Sequence, residues 1–347
     1  MKKASQAEIQ VFAGIDVSAR ELSVAVQCGI EEKIAVTTFS NKAAGHKALL
    51  AYLLRANARA RVCLEASGNY SLDLALTLQA HPQVEISVVN PRRARRFAES
   101  LGERSKTDPV DARVLCEYAL RMRWVPWVPP SLAALRLRSI TRAIEDLVAM
   151  QTQEKNRQHS LLASDALPAL LIRELEKHLR YLKLRITRLR REALRQIARN
   201  PELNRRFHLM LTTPGLGETS SLQILGELAV LPDTLDARQW VAFSGLDPKQ
   251  FSSGTSVEKK TRISRGGNRH LRRALYMPAL VAIRHEPFVR GFYQRLLRRG
   301  KAPLQAVVAV MRKLLHALFA MFRLDKAYDG SKLCLAEFAR DTAVICA

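Results

Sequence analysis

The stretch VFAGIDVSARELSVAVQ, residues 11–27, decides how the N-terminal part of the chain folds. It contains two apolar runs, 11–17 and 22–27, which are rich in the β-branched residues that favour strands. The short turn at residues 18–20 lies between them. Two such runs joined by a short turn predict an antiparallel β-hairpin.

Strand and helix signals alternate after this hairpin, up to about residue 121. We predict further strands at residues 34–39, 61–64 and 84–89, and helices at residues 42–55, 70–79, 91–101 and 109–121. Strands that alternate with helices are typical of an α/β layer with a mixed sheet. An antiparallel opening hairpin followed by crossover units is the order of RNase H-like nuclease folds, so such a domain is expected at residues 1–123.

A stiff linker follows, because residues 124–130 read WVPWVPP and three prolines in seven residues cannot lie inside a helix. Beyond it, apolar residues repeat in steps of four and three, from Ala133 to Gln151 and again from Leu175 to Ala193. These heptad seams, with a break near residues 165–168, predict a long helical coiled-coil hairpin within residues 124–204. The second helix is densely basic, which suits a phosphate-facing or dimerising arm, or else a solvated outer face.

The composition indicates a negatively charged partner. The 347 residues include 56 Lys and Arg against 32 Asp and Glu, a formal net charge of +24, and 48% of them are hydrophobic. A globular chain with this charge is typical of nucleic-acid-binding proteins, and an anionic membrane surface is the weaker alternative. The five cysteines lack zinc-site spacing, and no apolar run reaches the about 18–20 residues that span a bilayer. We therefore expect reduced thiols in a cytoplasmic protein that is associated with the nucleoid when it acts.

Four acidic residues of the N-terminal region end a strand or open a helix. Asp16 and Glu65 end predicted strands, and Asp108 and Asp111 are spaced i,i+3 at a predicted helix N-terminus. Carboxylate oxygens are the ligands that Mg²⁺ prefers, and two such ions can hold a scissile phosphate. The four acids therefore predict a Mg²⁺-dependent site for phosphodiester cleavage. Taken singly, Asp111 is also explained as a first-turn helix acid and Asp108 as an N-cap.

The region from about residue 205 to residue 323 reads as mostly helical and has two candidate contacts to nucleic acid. Gly215 and Gly217, in the turn at residues 213–217, leave backbone N–H groups open to phosphate as in helix-hairpin-helix modules; a simple inter-helix turn is the alternative. A loop rich in Gly, Ser and Pro at residues 243–254 precedes the basic segment 259–273. Cations can stabilise a serine alkoxide and a phosphorane-like transition state, so a serine nucleophile is one interpretation and turn or N-cap serines are the other.

These motifs resemble those of the insertion sequence 110 family of transposases. Asp16, the ExxGxY motif at residues 65–70 and the KTDxxDA motif at residues 106–112 are similar to that family's DEDD signature. The C-terminal series resembles its transposase domain, with PGLG at 214–217, GLxP at 245–248, SG at 253–254 and ISRGGNRxLR at 263–272. The related Piv DNA invertases share both. The resemblance covers about residues 11–323 in order, and the tail at residues 324–347 is unmatched.

The resemblance implies a RuvC-like N-terminal domain in which Asp16, Glu65, Asp108 and Asp111 bind Mg²⁺. It also implies a C-terminal transposase domain, residues 205–323, whose serine nucleophile forms a transient covalent phosphoserine with cut DNA. Ser253 matches the family's Ser-Gly position best, and Ser252 and Ser264 are the alternatives. The candidate contacts to nucleic acid are Gly215, Gly217, Arg262, Arg265, Arg269 and Arg272.

The resemblance further implies partners. The two catalytic domains of the family meet across subunits, so a homodimer that assembles into a tetramer is expected. Donor and target DNA are the expected substrates, and a noncoding bridge RNA encoded in the element would select both by base pairing. A site-specific recombinase of the transposase class is the leading hypothesis. The alternatives are a RuvC-like junction nuclease that hydrolyses DNA without a covalent link, and a non-catalytic nucleic-acid-binding protein.

Overall fold

The structure, a computed structural model, describes residues 11–333 except residues 30–32, 67, 106, 164–167, 254–256 and 265. The described chain is mostly helical and divides between Pro129 and Pro130 into two compact units. Residues 123–131, which include the predicted Pro-rich linker, have neither helix nor strand. Arg265 and residues 334–347 of the tail lie outside the described residues.

The first unit is a mixed sheet with helices on both faces. Its elements are β1 (Val11–Val17), β2 (Glu21–Cys28), β3 (Ala35–Ser40), α1 (Ala43–Leu53), β4 (Ala60–Glu65), α2 (Leu72–Gln79), β5 (Val84–Val89), α3 (Pro91–Ser100) and α4 (Asp108–Arg121). Each strand and helix predicted for this region is present, with small shifts at the ends. The apolar, β-branched strands and the separate helical segments were sufficient to predict them.

The five strands lie in the order β3-β2-β1-β4-β5. The pairs β1–β2 and β2–β3 are antiparallel, whereas β1–β4 and β4–β5 are parallel. This order confirms both the opening hairpin and the mixed sheet. Leu53 of α1 and Leu78 of α2 pack in one buried cluster with Ile15 of β1. On the other face, Leu115 of α4 packs in a separate cluster with Cys63 of β4, so the sheet is buried on both sides.

The second unit is helical apart from one β-hairpin. Its elements are α5 (Leu132–Leu161), α6 (Ala169–Ala198), α7 (Pro201–Leu211), α8 (Glu218–Leu228), α9 (Ala237–Ser244), β6 (Pro248–Ser253), β7 (Val257–Ile263), α10 (Arg269–His285), α11 (Pro287–Arg298) and α12 (Pro303–Leu324). The predicted heptad seams face each other, because Leu137 and Ile144 of α5 share one buried cluster with Leu182 and Ile186 of α6.

The first half of α5 also packs against α8, and a glycine makes this contact possible. A Cβ atom at Gly226 of α8 would lie 2.3 Å from the hydroxyl oxygen of Thr141 on α5. The helices of the predicted arm therefore belong to the same compact unit as the C-terminal helices. The division into an arm at residues 124–204 and a domain at residues 205–323 stays a prediction.

The segment that was expected to be a serine loop is partly a β-hairpin. β6 and β7 pair antiparallel from Pro248 with Ile263 to Ser253 with Val257. The expectation of irregular structure is therefore wrong for residues 248–253. The charged composition of β7, which reads VEKKTRI, hid the strand signal, because lysine and glutamate are depleted in strands.

α12 is the core helix of the second unit. Val310, Leu314 and Leu318 on this helix are at most 1% exposed. Among the described residues, α12 alone is long and apolar enough to cross a membrane by length and composition. Reading the sequence for uninterrupted apolar runs missed this segment, because Arg312 and Lys313 interrupt it. Its burial among other helices accounts for its apolar character without a membrane.

Candidate active site

Direct backbone contact between α4 and β1 builds the candidate site of the first unit. A Cβ atom at Gly14 would lie 2.2 Å from the carbonyl oxygen of Ala112 and 2.1 Å from the backbone nitrogen of Cys116. The Cys116 thiol donates a hydrogen bond to the carbonyl oxygen of Phe12, 3.3 Å away. Residue 116 thus lies beside the start of β1 and residue 112 further along it. α4 therefore runs antiparallel to β1, and its N-terminal turn lies towards the carboxyl end of the strand.

Asp16 and Glu65 lie at that same end of the sheet. β1 and β4 are parallel neighbours whose register pairs Ile15 with Leu64, so Asp16 and Glu65 come next on adjacent strands. Alternate residues of a strand share a face. Asp16 therefore lies on the same side of the sheet as Gly14, which faces α4. Glu65 lies on that side as well, because it is two positions after Cys63, which packs in one cluster with Leu115 of α4.

We call this region the acid edge, defined by Asp16, Glu65, Asp108 and Asp111. Asp108 and Asp111 belong to the first turn of α4, and Asp16 and Glu65 are half-buried. Within the described part of the chain, no three His, Cys, Asp or Glu side chains are grouped closely enough to hold a metal ion. The acid edge is therefore a shared location, and its carboxylates are not gathered into a formed cage. Their donor type, carboxylate oxygen, is the one that a hard divalent cation prefers.

The two buried thiols where α4 packs on the sheet are packing residues. Cys63 and Cys116 are fully buried and free. Burial raises the pKa of each thiol to about 12. Both therefore stay protonated at neutral pH, as expected for reduced cysteines in a close helix–sheet contact.

A partly buried polar contact links the loops that follow β1 and β4. The side-chain amide of Asn41 donates to the carbonyl oxygens of Ser18, at 2.8 Å, and Tyr70, at 3.2 Å. Its own oxygen lies 2.8 Å from Nε2 of His46, so the neutral ring donates there. Burial lowers the pKa of His46, against the opposing charge of Asp73. Sequence reasoning missed this pair, because the residues that it links lie far apart along the chain.

The glycine turn of the second unit joins α7 to α8. Gly215 has φ +92°, and a Cβ atom there would lie 2.5 Å from the carbonyl oxygen of Pro278 on α10. Only glycine meets both conditions. Gly217 is the N-cap of α8, and a Cβ atom there would have nothing within 4 Å. Glu218 in the first turn of α8 disfavours an anion at this helix end, and phosphate binding by the turn stays a prediction.

The candidate serines lie at opposite ends of the β6–β7 hairpin. Ser253 is the last residue of β6 and Ser252 precedes it, next to residues 254–256, which lie outside the described residues. Ser264 follows β7 at the base of the hairpin, and its hydroxyl donates to the carboxylate of Asp247 at 2.6 Å. A strand rises about 3.3 Å per residue, so Ser253 is about 17 Å from Pro248 at the base. Ser253 and Ser264 therefore do not share one site within the unit.

A clamp of backbone contacts closes the base of this hairpin. The backbone nitrogen of Ser264 donates to the carbonyl oxygen of Asp247 at 2.9 Å. A Cβ atom at Gly267 would lie 2.1 Å from the carbonyl oxygen of Phe243, so the two segments touch through their backbones. The Arg272 guanidinium donates to the carbonyl oxygens of Ser244, at 2.8 Å, and Gly267, at 3.1 Å.

The structure gives the candidate arginines different surroundings. Arg262 and Arg269 are exposed and accessible to a phosphate. Arg272 is half-buried and contacts the carbonyl oxygens of the clamp, and Arg265 lies outside the described residues. Contacts of all these residues with nucleic acid stay predictions.

A buried ion pair connects the clamp to α5. Glu227 of α8 is 2% exposed and accepts two hydrogen bonds from the guanidinium of Arg142 on α5, at 2.7 and 2.9 Å. It also accepts one from the side chain of Asn268, at 2.5 Å. The Asn268 oxygen caps α10 by accepting from the backbone nitrogens of His270 and Leu271.

The ionisation of this pair follows from these contacts. Burial alone would raise the pKa of Glu227, but the hydrogen bonds from Arg142 and Asn268 outweigh it, and the pKa is lowered. The hydrogen bonds that Arg142 donates to Glu227 correspondingly raise the pKa of Arg142. Both groups are therefore charged at neutral pH. Sequence reasoning did not find this pair, since its members are 85 residues apart.

Two family models match successive parts of the chain, and the first match extends past the boundary at Pro129 into the second unit. Residues 13–164 match the IS110 DEDD model, described as transposase. Residues 207–294 match a model described as transposase of the IS116/IS110/IS902 family.

Curated relatives agree with these models. The pilin gene-inverting protein of Moraxella bovis is 31% identical over 267 residues, which cover 77% of this chain and 81% of the relative. A probable family 20 transposase of Pseudomonas aeruginosa is 27% identical over 269 residues, 68% of this chain and 77% of that protein. An uncharacterized 43.6 kDa protein of insertion element IS110 from Streptomyces coelicolor is 31% identical over 122 residues, 35% of this chain and 30% of that protein.

Since both matched models describe transposases, the chain is an enzyme of the class that cuts and recombines DNA. The match to the Moraxella bovis protein, at 31% identity over 81% of that protein, is extensive enough to identify the family within this class. The chain belongs to the IS110 family of transposases. The family resemblance inferred from the sequence motifs is thereby confirmed.

Proposed function

We propose that this transposase cuts and rejoins DNA strands with the acid edge of its first unit and a serine of its second. The observation that supports this most directly is the antiparallel packing of α4 on β1 at Gly14. It brings the first turn of α4 to the sheet edge where β1 and β4 end. The strand order and the opening hairpin also support an RNase H-like, RuvC-like arrangement of this unit.

In the proposed site, Asp16, Glu65, Asp108 and Asp111 would hold Mg²⁺. When bound, such an ion stabilises the charge that develops on a scissile phosphate and on the leaving oxygen. The role of this chain's residues is to hold carboxylate oxygens on two rigid elements, the sheet and α4, at one end of the unit. Side-chain rotation would have to bring the carboxylates together, since they form no three-membered cluster within the described residues.

The second part of the proposal is a covalent step at Ser253. Its hydroxyl oxygen would bond to the phosphorus of the scissile phosphate while the bond to one nucleotide oxygen breaks. The serine loses a proton and the departing oxygen gains one. The phosphoserine link keeps the phosphodiester energy, so that a second strand end can displace the serine without another energy source. The position of Ser253 at the far end of a clamped hairpin supports this choice, because Ser264 is engaged with Asp247 at the base.

The partners follow from the family and from the charge of the chain. Donor and target DNA are the proposed substrates, and a noncoding RNA from the element is the proposed guide. The net charge of +24 supports binding to both. A homodimer that assembles into a tetramer is the proposed active form. Sedimentation of the protein with RNA and DNA tests this, and a strict monomer would contradict it.

A trapping experiment tests the chemistry. The full chain is incubated with Mg²⁺, the noncoding flank of the element as RNA, and end-labelled donor DNA, and then run on a denaturing gel. We expect a labelled protein–DNA adduct that disappears in Ser253→Ala and in Asp16→Asn. Asp73→Asn is the matched control, since Asp73 is an exposed carboxylate in the first turn of α2, on the opposite face of the sheet. This control should leave the adduct unchanged.

Other outcomes select between the alternatives. An adduct that persists in Ser253→Ala but is lost in Ser252→Ala or Ser264→Ala would transfer the nucleophile to that serine. Cleaved DNA without an adduct would favour the hydrolytic junction nuclease. An Asp16→Asn variant with unchanged activity and tighter DNA binding would contradict catalysis at the acid edge, because a carboxylate that only repels DNA behaves in that way.

A further inference from the structure

Helix α3 of the first unit has one strongly basic side. Arginines occupy positions 92, 93, 95 and 96 of this ten-residue helix, and all four are exposed. The opposite side is apolar, with Ala94 buried against α4. The sequence PRRARRFAES therefore forms a helix of less than three turns with arginines on one side and apolar residues on the other.

α3 is held in a fixed orientation. The ring of Phe97 meets the ring of Tyr118 on α4 edge-on, with centroids 5.2 Å apart. The side chain of Asn90 caps the helix by accepting a hydrogen bond from the backbone nitrogen of Arg92, at 2.9 Å. Because the Asn90 cap fixes the start of α3 and the ring contact fixes Phe97 against α4, the arginines project from a rigid helix.

The basic side begins at the acid edge. Glu65 pairs with Val89 across β4 and β5, and α3 starts at Pro91, two residues after Val89. Neighbouring strands are about 4.8 Å apart and a helix rises about 1.5 Å per residue. The backbone of residues 92–96 therefore lies within about 20 Å of the Glu65 backbone. That span corresponds to about six steps of about 3.4 Å along one DNA strand.

Within the part of the chain that the structure describes, three of the four arginines have no acidic partner. Arg95 pairs with Glu99 on its own helix, with Nε and Oε1 3.3 Å apart. Arg92, Arg93 and Arg96 form no ion pair with any residue that the structure describes. Positions 92 and 96 are four apart and positions 93 and 96 are three apart, so the three side chains occupy one continuous surface of the helix.

We propose that Arg92, Arg93 and Arg96 bind the phosphate backbone of the DNA strand that enters the acid edge. Guanidinium groups bind phosphate oxygens in a bidentate manner, and a phosphate row is the partner that three exposed cations on one side of a rigid helix attract. The carboxylates of the acid edge alone would repel DNA. The arginines of α3, which follows the neighbouring strand β5, offset that repulsion. The inference rests on the proposed function, because cleavage at the acid edge is what makes DNA the occupant.

Equilibrium binding of the full chain tests this inference without any cleavage. Fluorescence anisotropy of a labelled donor-end duplex is measured in EDTA across a salt series, for the wild type and for Arg92→Gln/Arg93→Gln/Arg96→Gln. Each phosphate contact contributes about 0.9 to the slope of log K against log salt. We expect the slope to fall by about 2.7 in the triple variant and by about 0.9 in Arg93→Gln. At 0.1 M salt the triple variant should bind about 500-fold more weakly, since a slope change of about 2.7 acts over the tenfold range below 1 M.

Arg55→Gln is the matched control. Arg55 is exposed and precedes β4, at the opposite end of the sheet from Glu65, so the same charge change occurs away from the acid edge. Its slope should equal that of the wild type. A slope change in Arg55→Gln equal to that in Arg93→Gln would overturn the inference, because charge alone would then explain the effect. An unchanged slope in the triple variant would also overturn it.

A second arm uses a labelled RNA hairpin from the noncoding flank. Loss of RNA binding with unchanged DNA binding would overturn the assignment to DNA. Because these measurements need neither metal nor cleavage, they separate the two proposals. If the slope falls as expected in the triple variant but the trapping experiment gives no adduct, the proposed chemistry is refuted and the α3 contact stays supported.

Discussion

Replacement of Glu227 by glutamine should destabilise the second unit through the charge that it leaves behind. The Glu227 side chain is 3% exposed and that of Arg142 is 40% exposed. Removal of one partner from a fully buried pair costs about 3–5 kcal/mol. Since Arg142 can regain part of its hydration, we expect about 2–3 kcal/mol for Glu227→Gln. Glutamine keeps the shape of the side chain and one acceptor oxygen. Its amide nitrogen would face a donor of Arg142 or Asn268, so a lost hydrogen bond adds to the effect of the lost charge.

Calorimetry of the full chain measures this loss. A unit of this size loses about 2–4 °C of melting temperature per kcal/mol, so a fall of about 5–10 °C is expected. Glu174→Gln is the matched control, because Glu174 of α6 pairs with Lys177 at an exposed site where both side chains are over 55% exposed. That change should cost less than about 1 kcal/mol. A Glu227→Gln protein as stable as this control would refute the reasoning.

The same variant has a predicted pH dependence. The pKa of Glu227 is lowered in the folded protein relative to the ordinary value of 4.5. Its charge therefore stabilises the fold above pH 4.5, and this contribution is lost as the pH falls through the lower folded value. The difference in melting temperature between wild type and Glu227→Gln should narrow in that acid range. A difference that stays constant would show that the charge is not its source.

Three further changes have defined outcomes. Gly14→Ala would place a methyl group 2.1 Å from the backbone of α4 and should cost about 3 kcal/mol or more in urea unfolding; wild-type stability would contradict the backbone contact. The pKa of His46 is lowered by burial, so folded stability should decline as the pH falls below about 6.5. His46→Gln should remove that decline, and an unchanged acid profile would exclude His46 as its cause. Gly267→Ala should open the clamp at Phe243 and increase proteolysis within residues 248–263; equal resistance would show that the clamp is dispensable.

The sequence predicted the parts of the fold that follow from periodicity. β1 and β2 are apolar runs joined by a short turn, and the seams of α5 and α6 repeat every seven residues. In each case, neighbouring residues along the chain carry the whole signal. The hairpin of β6 and β7 was missed because β6 is short and polar and β7 is charged, so neither strand carries an apolar sequence pattern.

The candidate site divides in the same way. The four acids were selected as candidates because each ends an apolar strand or lies in the first turn of a helix, and their role as metal ligands stays a prediction. The polar contacts that stabilise the segments around the candidate site could not be predicted from the sequence. Asn41 with His46, and Glu227 with Arg142 and Asn268, are polar residues that acquire meaning only when distant segments meet. Single sequences do not show which of many polar residues become buried.

The pairing of Arg142 with Glu227 has a consequence for synthesis on the ribosome. The two residues are 85 positions apart, and Asn268 is a further 41 positions along. Synthesis proceeds at about 5–20 residues per second, so Arg142 of α5 emerges at least several seconds before Glu227, whose carboxylate neutralises it. During that interval α5 and α6 can already pair along their seam, while the α8-facing side of α5 stays hydrated. The nascent chain should thus acquire its helical hairpin early and lock the base of β6 and β7 only after α10 has emerged.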